Sequence, residues 1–164
     1  MSGGTGETGY ARKGDTSIAY RVIGDGPVDV VFGAGFACHL DLLKGDPHCD
    51  AFVRRLSRLG RLVVFDKPGT GLSDPLVSPP TLADRMDDHL AVMDAVGMSR
   101  AVVVGFSEAT PPTLLLAATH PERVEALVTL SGPVRFTCDE DYLPHLEQYL
   151  EGYIWAHMWH SYDH

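Results

Sequence analysis

Gly105-Phe106-Ser107-Glu108-Ala109 follows directly on the apolar run Ala101-Val102-Val103-Val104. A buried strand that breaks at a small-x-Ser-x-small turn and opens into a helix is the pattern of a nucleophile elbow. The turn is sharp enough to lift the serine oxygen clear of the backbone at the end of the sheet. The small flanking residues let the helix approach the strand without side-chain clash. A serine hydroxyl is a weak nucleophile alone. It needs a base to take its proton and a third group to orient that base. The competing reading of Ser107 is a helix cap at an ordinary strand–helix turn.

The elements that must position this serine are legible as alternating patterns. Tyr10-Ala11-Arg12 and Ser17-Ile18-Ala19-Tyr20-Arg21-Val22, parted by Gly14-Asp15, predict an antiparallel hairpin. Residues 28–32 and 61–65 predict strands buried on both faces, as do 101–104 and 126–130. A helix is expected around residues 50–59. Thr81 is placed to cap another, with Leu82, Met86, Leu90 and Met93 facing inward and Asp84, Asp87 and Asp88 outward. Gly97 is a helix stop. Residues 108–119 predict the helix behind the elbow, ended by His120-Pro121 and expected to start distorted or shifted because of Pro111 and Pro112. The fold class is therefore α/β: a mostly parallel, doubly wound sheet with an N-terminal antiparallel hairpin. In such sheets, sites form beyond the carboxyl ends of the strands, where the loops after Phe32, Phe65 and Val104 lie. We divide the chain into a flexible N-terminus (residues 1–7), a core (8–133) and a helical C-terminal segment (134–164) that is lid-like or forms an interface.

The 164 residues are most simply one domain, with 45% hydrophobic and 21% charged residues. A net charge of -9 disfavours nucleic acid and anionic membrane as partners, since both repel an acidic surface. No apolar run approaches the length of a membrane span, and no secretory signal is visible. Cys38, Cys49 and Cys138 are few, odd in number and widely spaced, which fits a reducing cytoplasm better than a disulfide framework.

Four segments carry a family resemblance. Val30-Val31-Phe32-Gly33-Ala34-Gly35-Phe36 resembles the oxyanion loop of α/β-hydrolases, and Phe65-Asp66-Lys67-Pro68-Gly69-Thr70-Gly71-Leu72-Ser73-Asp74 their D-x-R-G-x-G-x-S-D loop. Val103-Val104-Gly105-Phe106-Ser107-Glu108 resembles the elbow, and His120-Pro121-Glu122-Arg123-Val124 the segment before the next strand. They fall in the family's order and at its spacing. The G-x-S-E variant is similar to a bacterial subgroup sometimes fused to nucleotide-cyclase domains. The chain departs from the family pattern at Ala34 (usually His), Pro68 (usually Arg), and Ala109 and Thr110 (usually Gly-Gly in the subgroup). The resemblance covers the N-terminal part of the family domain, to about Pro133. The family's acid and base follow later strands.

The resemblance implies serine-nucleophile hydrolysis of an ester or related acyl substrate, as in a carboxylesterase, with Ser107 attacking and no cofactor or metal. The backbone N–H groups of Phe36 and Glu108 would form the oxyanion hole. For a base, His39 in the oxyanion loop is one candidate. His157, His160 and His164, with Asp163, are expected to be a polar terminus or a stretch of lid. Asp66 is expected to hold its loop rather than transfer protons, and Glu108 to reach into the site or repel an oxyanion. The alternative is a non-catalytic binding or oligomerisation module, in which a homodimer covers the sheet edge after Leu130.

Overall fold

The computed structural model describes residues 6–35 and 39–133. β1 (Thr8–Lys13) and β2 (Thr16–Ile23) form the antiparallel hairpin, turning at Gly14 with φ 58°. They join β3 (Asp29–Gly33), β4 (Arg61–Phe65), β5 (Ala101–Phe106) and β6 (Val124–Leu130) in one six-stranded sheet of order β1-β2-β4-β3-β5-β6. β2 runs antiparallel to β4, and the four strands from β4 to β6 are parallel. β3 is thus central. The chain leaves it for β4 on one side and returns to β5 on the other, so the carboxyl end of β3 is where the winding reverses.

The three central strands alternate side chains between two cores, as the period of two requires. Val31, Val63 and Val103 pack with Met86, Met93 and Leu116, carried by α2 (Leu82–Ala95) and α3 (Thr110–Thr119). Val30, Phe32, Leu62, Val64 and Val104 pack on the other face with Val53 of α1 (Pro47–Leu56). Burying each such aliphatic side chain contributes roughly 1.5–3 kcal/mol, so the parallel strands are the stable floor on which the loops stand.

Local chemistry explains the helix starts. Thr81 and Asp84 form a reciprocal capping box, and Gly97, at φ 69°, follows the end of α2. α1 begins earlier than expected, at Pro47, because the Asp46 carboxylate accepts from His48 N–H and Cys49 N–H, 2.9 and 2.8 Å.

Three sequence expectations are corrected. Asp88 faces inward: it is 1% exposed and ion-paired with both Lys13 and Arg85. α2 packs on the hairpin, and Lys13 reaches across to neutralise the carboxylate. Leu82, expected inside, is 47% exposed because it lies in the first turn, at the end of α2. β6 is expected to be buried on both faces, but among the described residues it lies at the edge of the sheet, and Val128 is 41% exposed.

Candidate active site

Parallel pairing of β3 with β5 sets Gly33 opposite Gly105, so the loop leaving β3 runs beside the turn leaving β5. Both positions require glycine for space. A Cβ on Gly105 would lie 2.2 Å from Thr113 Oγ1 and 3.1 Å from the Ala109 carbonyl oxygen. One on Gly33 would lie 2.6 Å from His89 Nε2 and 2.9 Å from Ala109 Cβ. The glycines bring α3 down onto the strand ends.

Ser107 follows with φ 53°, a left-handed conformation that costs a non-glycine residue of order 1–3 kcal/mol. It opens a short 3-10 turn, Ser107–Ala109, and α3 proper begins only at Thr110. This is the shifted helix start expected from the prolines. Pro111 falls in the first turn, where N–H groups lack intrahelical partners anyway. The N-cap of this turn, Phe106, makes no side-chain capping bond, and the Ser107 hydroxyl makes no hydrogen bond among the described residues. The strain therefore has no capping role to explain it. It leaves the hydroxyl at the carboxyl end of the sheet, without a hydrogen-bond partner among the described residues.

Three segments converge on this turn. The backbone after β6 passes so close that a Cβ on Gly132 would lie 1.8 Å from Thr110 Oγ1 and 2.5 Å from the Ser107 carbonyl oxygen. Thr110 itself is buried, and its hydroxyl turns to the Gly105 carbonyl at 3.3 Å. From β3, the Gly35 backbone arrives beside the elbow: a Cβ there would stand 3.3 Å from Ser107 Cβ and 3.2 Å from the Phe106 ring. From β4, Lys67 donates to the Gly35 carbonyl at 3.0 Å and pairs with the Glu108 carboxylate at 2.8 Å. The charge of Glu108 is thus answered by Lys67.

The loop after β4 is pinned by its own polar residues. Asp66, fully buried, accepts on Oδ2 from Leu72 N–H at 2.8 Å and Leu40 N–H at 3.2 Å. A Cβ on Gly71, at φ 53°, would collide with that oxygen. Ser73 and Asp74 accept from the β2 amides of Ala19 and Ser17, at 2.8 and 2.7 Å. Asp66 holds two loops, as its sequence position suggests.

Of the expected site residues, the structure places Ser107 and Glu108 at the elbow. Phe36 lies outside the described residues, as do His157, His160, Asp163 and His164. His39 is described, but its Nδ1 accepts from Asp41 N–H at 3.1 Å, and it makes no hydrogen bond to Ser107. The structure does not bring that candidate base to the nucleophile.

Two residues escaped the sequence reading. Lys67 joins segments far apart in the chain. His89 is fully buried beneath Gly33, stacked edge-to-face on Phe65 at 4.9 Å. Its Nδ1–H donates to the Arg85 carbonyl at 2.9 Å, while Nε2 is buried without a partner among the described residues. Burial pushes its pKa below the ordinary imidazole value, so the ring is held neutral. A helix-face histidine in an otherwise apolar stripe was the available signal.

Comparison with known proteins agrees with this fold. The α/β-hydrolase fold family matches residues 35–159. A protein assigned as the carbamate hydrolase RutD in Caulobacter sp. (strain K31) is 42% identical over 73 residues, 44% of this chain and 27% of that protein. The pimeloyl-[acyl-carrier protein] methyl ester esterase of Neisseria meningitidis is 34% identical over 93 residues, 57% of this chain and 34% of that enzyme. Among solved structures, a hydrolase from Pseudomonas aeruginosa superposes with a TM-score of 0.72 at 25% identity, over 90% of this chain and 54% of that one. The chain thus spans well under half the length of these curated relatives and about half that of the solved structure. It belongs to the α/β-hydrolase family.

Proposed function

We propose that this α/β-hydrolase-family chain carries the nucleophile side of a serine hydrolase acting on a small ester or related acyl substrate in the cytoplasm. Ser107 Oγ attacks the acyl carbon as its proton passes to a base. The tetrahedral oxyanion is held by the N–H groups of Glu108 and Phe36. The C–O bond then breaks, the alcohol leaves with a proton, and water hydrolyses the acyl-enzyme. The base and its orienting acid come from residues outside 6–35 and 39–133, or from another chain. The chemistry needs no cofactor.

The observation that carries this reading is Ser107 itself: a non-glycine residue at φ 53°, at the carboxyl end of β5, whose hydroxyl makes no hydrogen bond among the described residues. The names of the relatives, hydrolases and an esterase among them, support the acyl-transfer class. Hydrolysis of a p-nitrophenyl ester tests it. The expected result is a burst of about one nitrophenolate per chain, the mark of an accumulating acyl-enzyme, lost in Ser107→Ala. A slow linear release identical in both proteins contradicts it.

A second reading has its own observation. Among the described residues β6 lies at the edge of the sheet with Val128 exposed, a surface that a second copy of the chain can cover. In that case the chain is a binding or oligomerisation module. Light scattering separates the two: a monomer at micromolar concentration removes the module reading.

A further inference from the structure

We propose that His89 is a positioning residue for the nucleophile turn: its neutral ring props Ala109 against the end of β3, and a proton on Nε2 withdraws that prop. This deepens the proposed function and rests on it only for the consequence at Ser107.

The ring stands where three elements meet. A Cβ on Gly33, the last residue of β3, would lie 2.6 Å from His89 Nε2 and 3.5 Å from Cε1, so Nε2 is the ring atom turned to that strand. The same point is 2.9 Å from the Cβ of Ala109, which closes the Ser107–Ala109 turn. The ring also meets Phe65 of β4 edge-to-face at 4.9 Å. One side chain of α2 thus fills the space between two strand ends and the turn that bears the nucleophile. Ala109 is held in addition by Thr113, whose hydroxyl donates to its carbonyl at 3.0 Å.

The ring is fixed in one tautomer. Nδ1 lies 2.9 Å from the Arg85 carbonyl, which can only accept, so Nδ1 carries the proton and Nε2 the lone pair. Its base is fixed too: Arg85 donates to the Pro68 carbonyl at 2.9 Å, and Asp88 pairs with Lys13 of β1. A second proton can enter only at Nε2. The new N–H would point into the gap at Gly33 and Ala109, where Nε2 is buried without a partner among the described residues. The Gly33 Cα and the Ala109 methyl accept no hydrogen bond. A buried donor left unpaired is costly, and a buried charge more so. The protonated ring must therefore leave the gap or push the turn aside.

The surrounding charges do little to offset this. Burial is the main influence on the ring and disfavours its charged form; the Arg85 carbonyl and Asp88 favour that form, and the Arg85 guanidinium opposes it. Asp88 is already shared by Lys13 and Arg85. α3 and β5 hold no ionisable residue, and Asp29 of β3 sits at the opposite end, paired with Arg61. Next to Phe65, Asp66 accepts from Leu40 and Leu72, and Lys67 pairs with Glu108, the neighbour of Ala109.

A titration of the full chain with two readouts tests the prop. The first is the amide resonances of Gly33 and Ala109, followed with the Cε1 proton of His89 from about pH 8 to about pH 5. Both amides should move with the ring proton through one midpoint below about 6.5, while the amide of Ala101 at the amino rim stays in place. In His89→Phe, which keeps a ring without a titrating nitrogen, both should stay flat. His89→Gln should do the same if the Phe variant folds poorly, and the wild-type titration decides alone if neither folds. The second readout is the rate at which a fluorophosphonate modifies Ser107. The turn that Ala109 closes carries the Glu108 N–H, and loss of one oxyanion donor costs about 10²–10³-fold. Ring protonation should therefore slow modification by about tenfold or more, and the acid limb should be steeper in wild type than in either variant. Gly33 and Ala109 amides that stay put while the ring titrates overturn the proposal, as do equal shifts in the variants. Unfolding of the wild-type chain before either amide moves overturns it too, and so do equal acid limbs. Wild-type protein that resists the reagent at every pH while both amides follow the ring counts against the hydrolase reading and leaves the prop standing.

Discussion

At the amino ends of the strands, Arg61 grips Asp29 through two parallel hydrogen bonds of 2.8 and 2.9 Å and reaches the Val96 carbonyl with a third nitrogen. Arg123 ties Asp94 and the Ser99 carbonyl, and Arg100 meets Glu125 at 2.9 Å. These charges are matched and partly or largely wet, and no non-glycine residue at this rim has a positive φ among the described residues. The carboxyl ends are built otherwise. There two non-glycine residues hold left-handed backbone, Ser107 at φ 53° and Ser131 at φ 51°, whereas glycines with no room for a methyl group occur at both rims, Gly33, Gly105 and Gly132 here and Gly24, Gly26 and Gly60 there. Asp66 Oδ1 and His89 Nε2 are buried without partners among the described residues. Both rims cap the same sheet, so the difference does not come from the fold. One rim is arranged for stability, whereas the other holds strain and unsatisfied polar groups in place by packing. Such concentration is characteristic of a site that must present groups before a ligand arrives.

The sharpest way to break this contrast is to remove the space at the strained rim. Gly105→Val forces branched carbon into Thr113 and the Ala109 carbonyl, and should lower stability by about 3 kcal/mol or more, read from the denaturant midpoint. A change below about 1 kcal/mol would mean that the rim is not tightly packed.

Next in size is acid sensitivity. The folded-state pKa of His89 lies below its unfolded value of about 6.5, chiefly through burial. The unfolded chain therefore takes up the proton first. The contribution of His89 is complete above about pH 6.5 and is lost as the pH falls from there toward the folded-state value. In His89→Leu, stability measured between pH 7 and 5 should fall less steeply than in wild type. Equal slopes would assign the acid loss to other groups.

Relief of strain should run the other way. Ser107→Gly, which accepts φ 53° freely, should raise stability by about 1 kcal/mol in the same denaturant assay. A loss of stability would show that the turn is not under tension. Smallest of all, Arg61→Met at the amino rim should cost at most about 1 kcal/mol, since Arg61 is 33% and Asp29 26% exposed and the pair is screened by solvent.

The features legible in the sequence are those written locally. The elbow could be read because a β-branched run, a small residue and a serine are adjacent, and the Thr81 cap because it stands directly before a run of helical spacing. Alternating apolar strands and helices gave the sheet its class. What could not be read depends on partners distant in the chain. Lys67 meets Glu108 across 41 residues, and Lys13 meets Asp88 across 75. No periodicity distinguishes a carboxylate on the solvent face of α2 from one lying under a hairpin lysine. β6 has the same apolar composition as a central strand, and only the strand order reveals that it lies at the edge among the described residues. His39 was a candidate base by its loop alone, and its ring is engaged by the next turn of chain.

The central claim is that the strain at Ser107 presents a nucleophile. Intact-mass and peptide analysis of the full chain, incubated with a fluorophosphonate at high protein concentration, tests it most directly. The expected result is a single adduct on Ser107, absent from Ser107→Ala and from protein unfolded beforehand. Wild-type protein that remains unmodified, or an adduct that persists in Ser107→Ala, would contradict it.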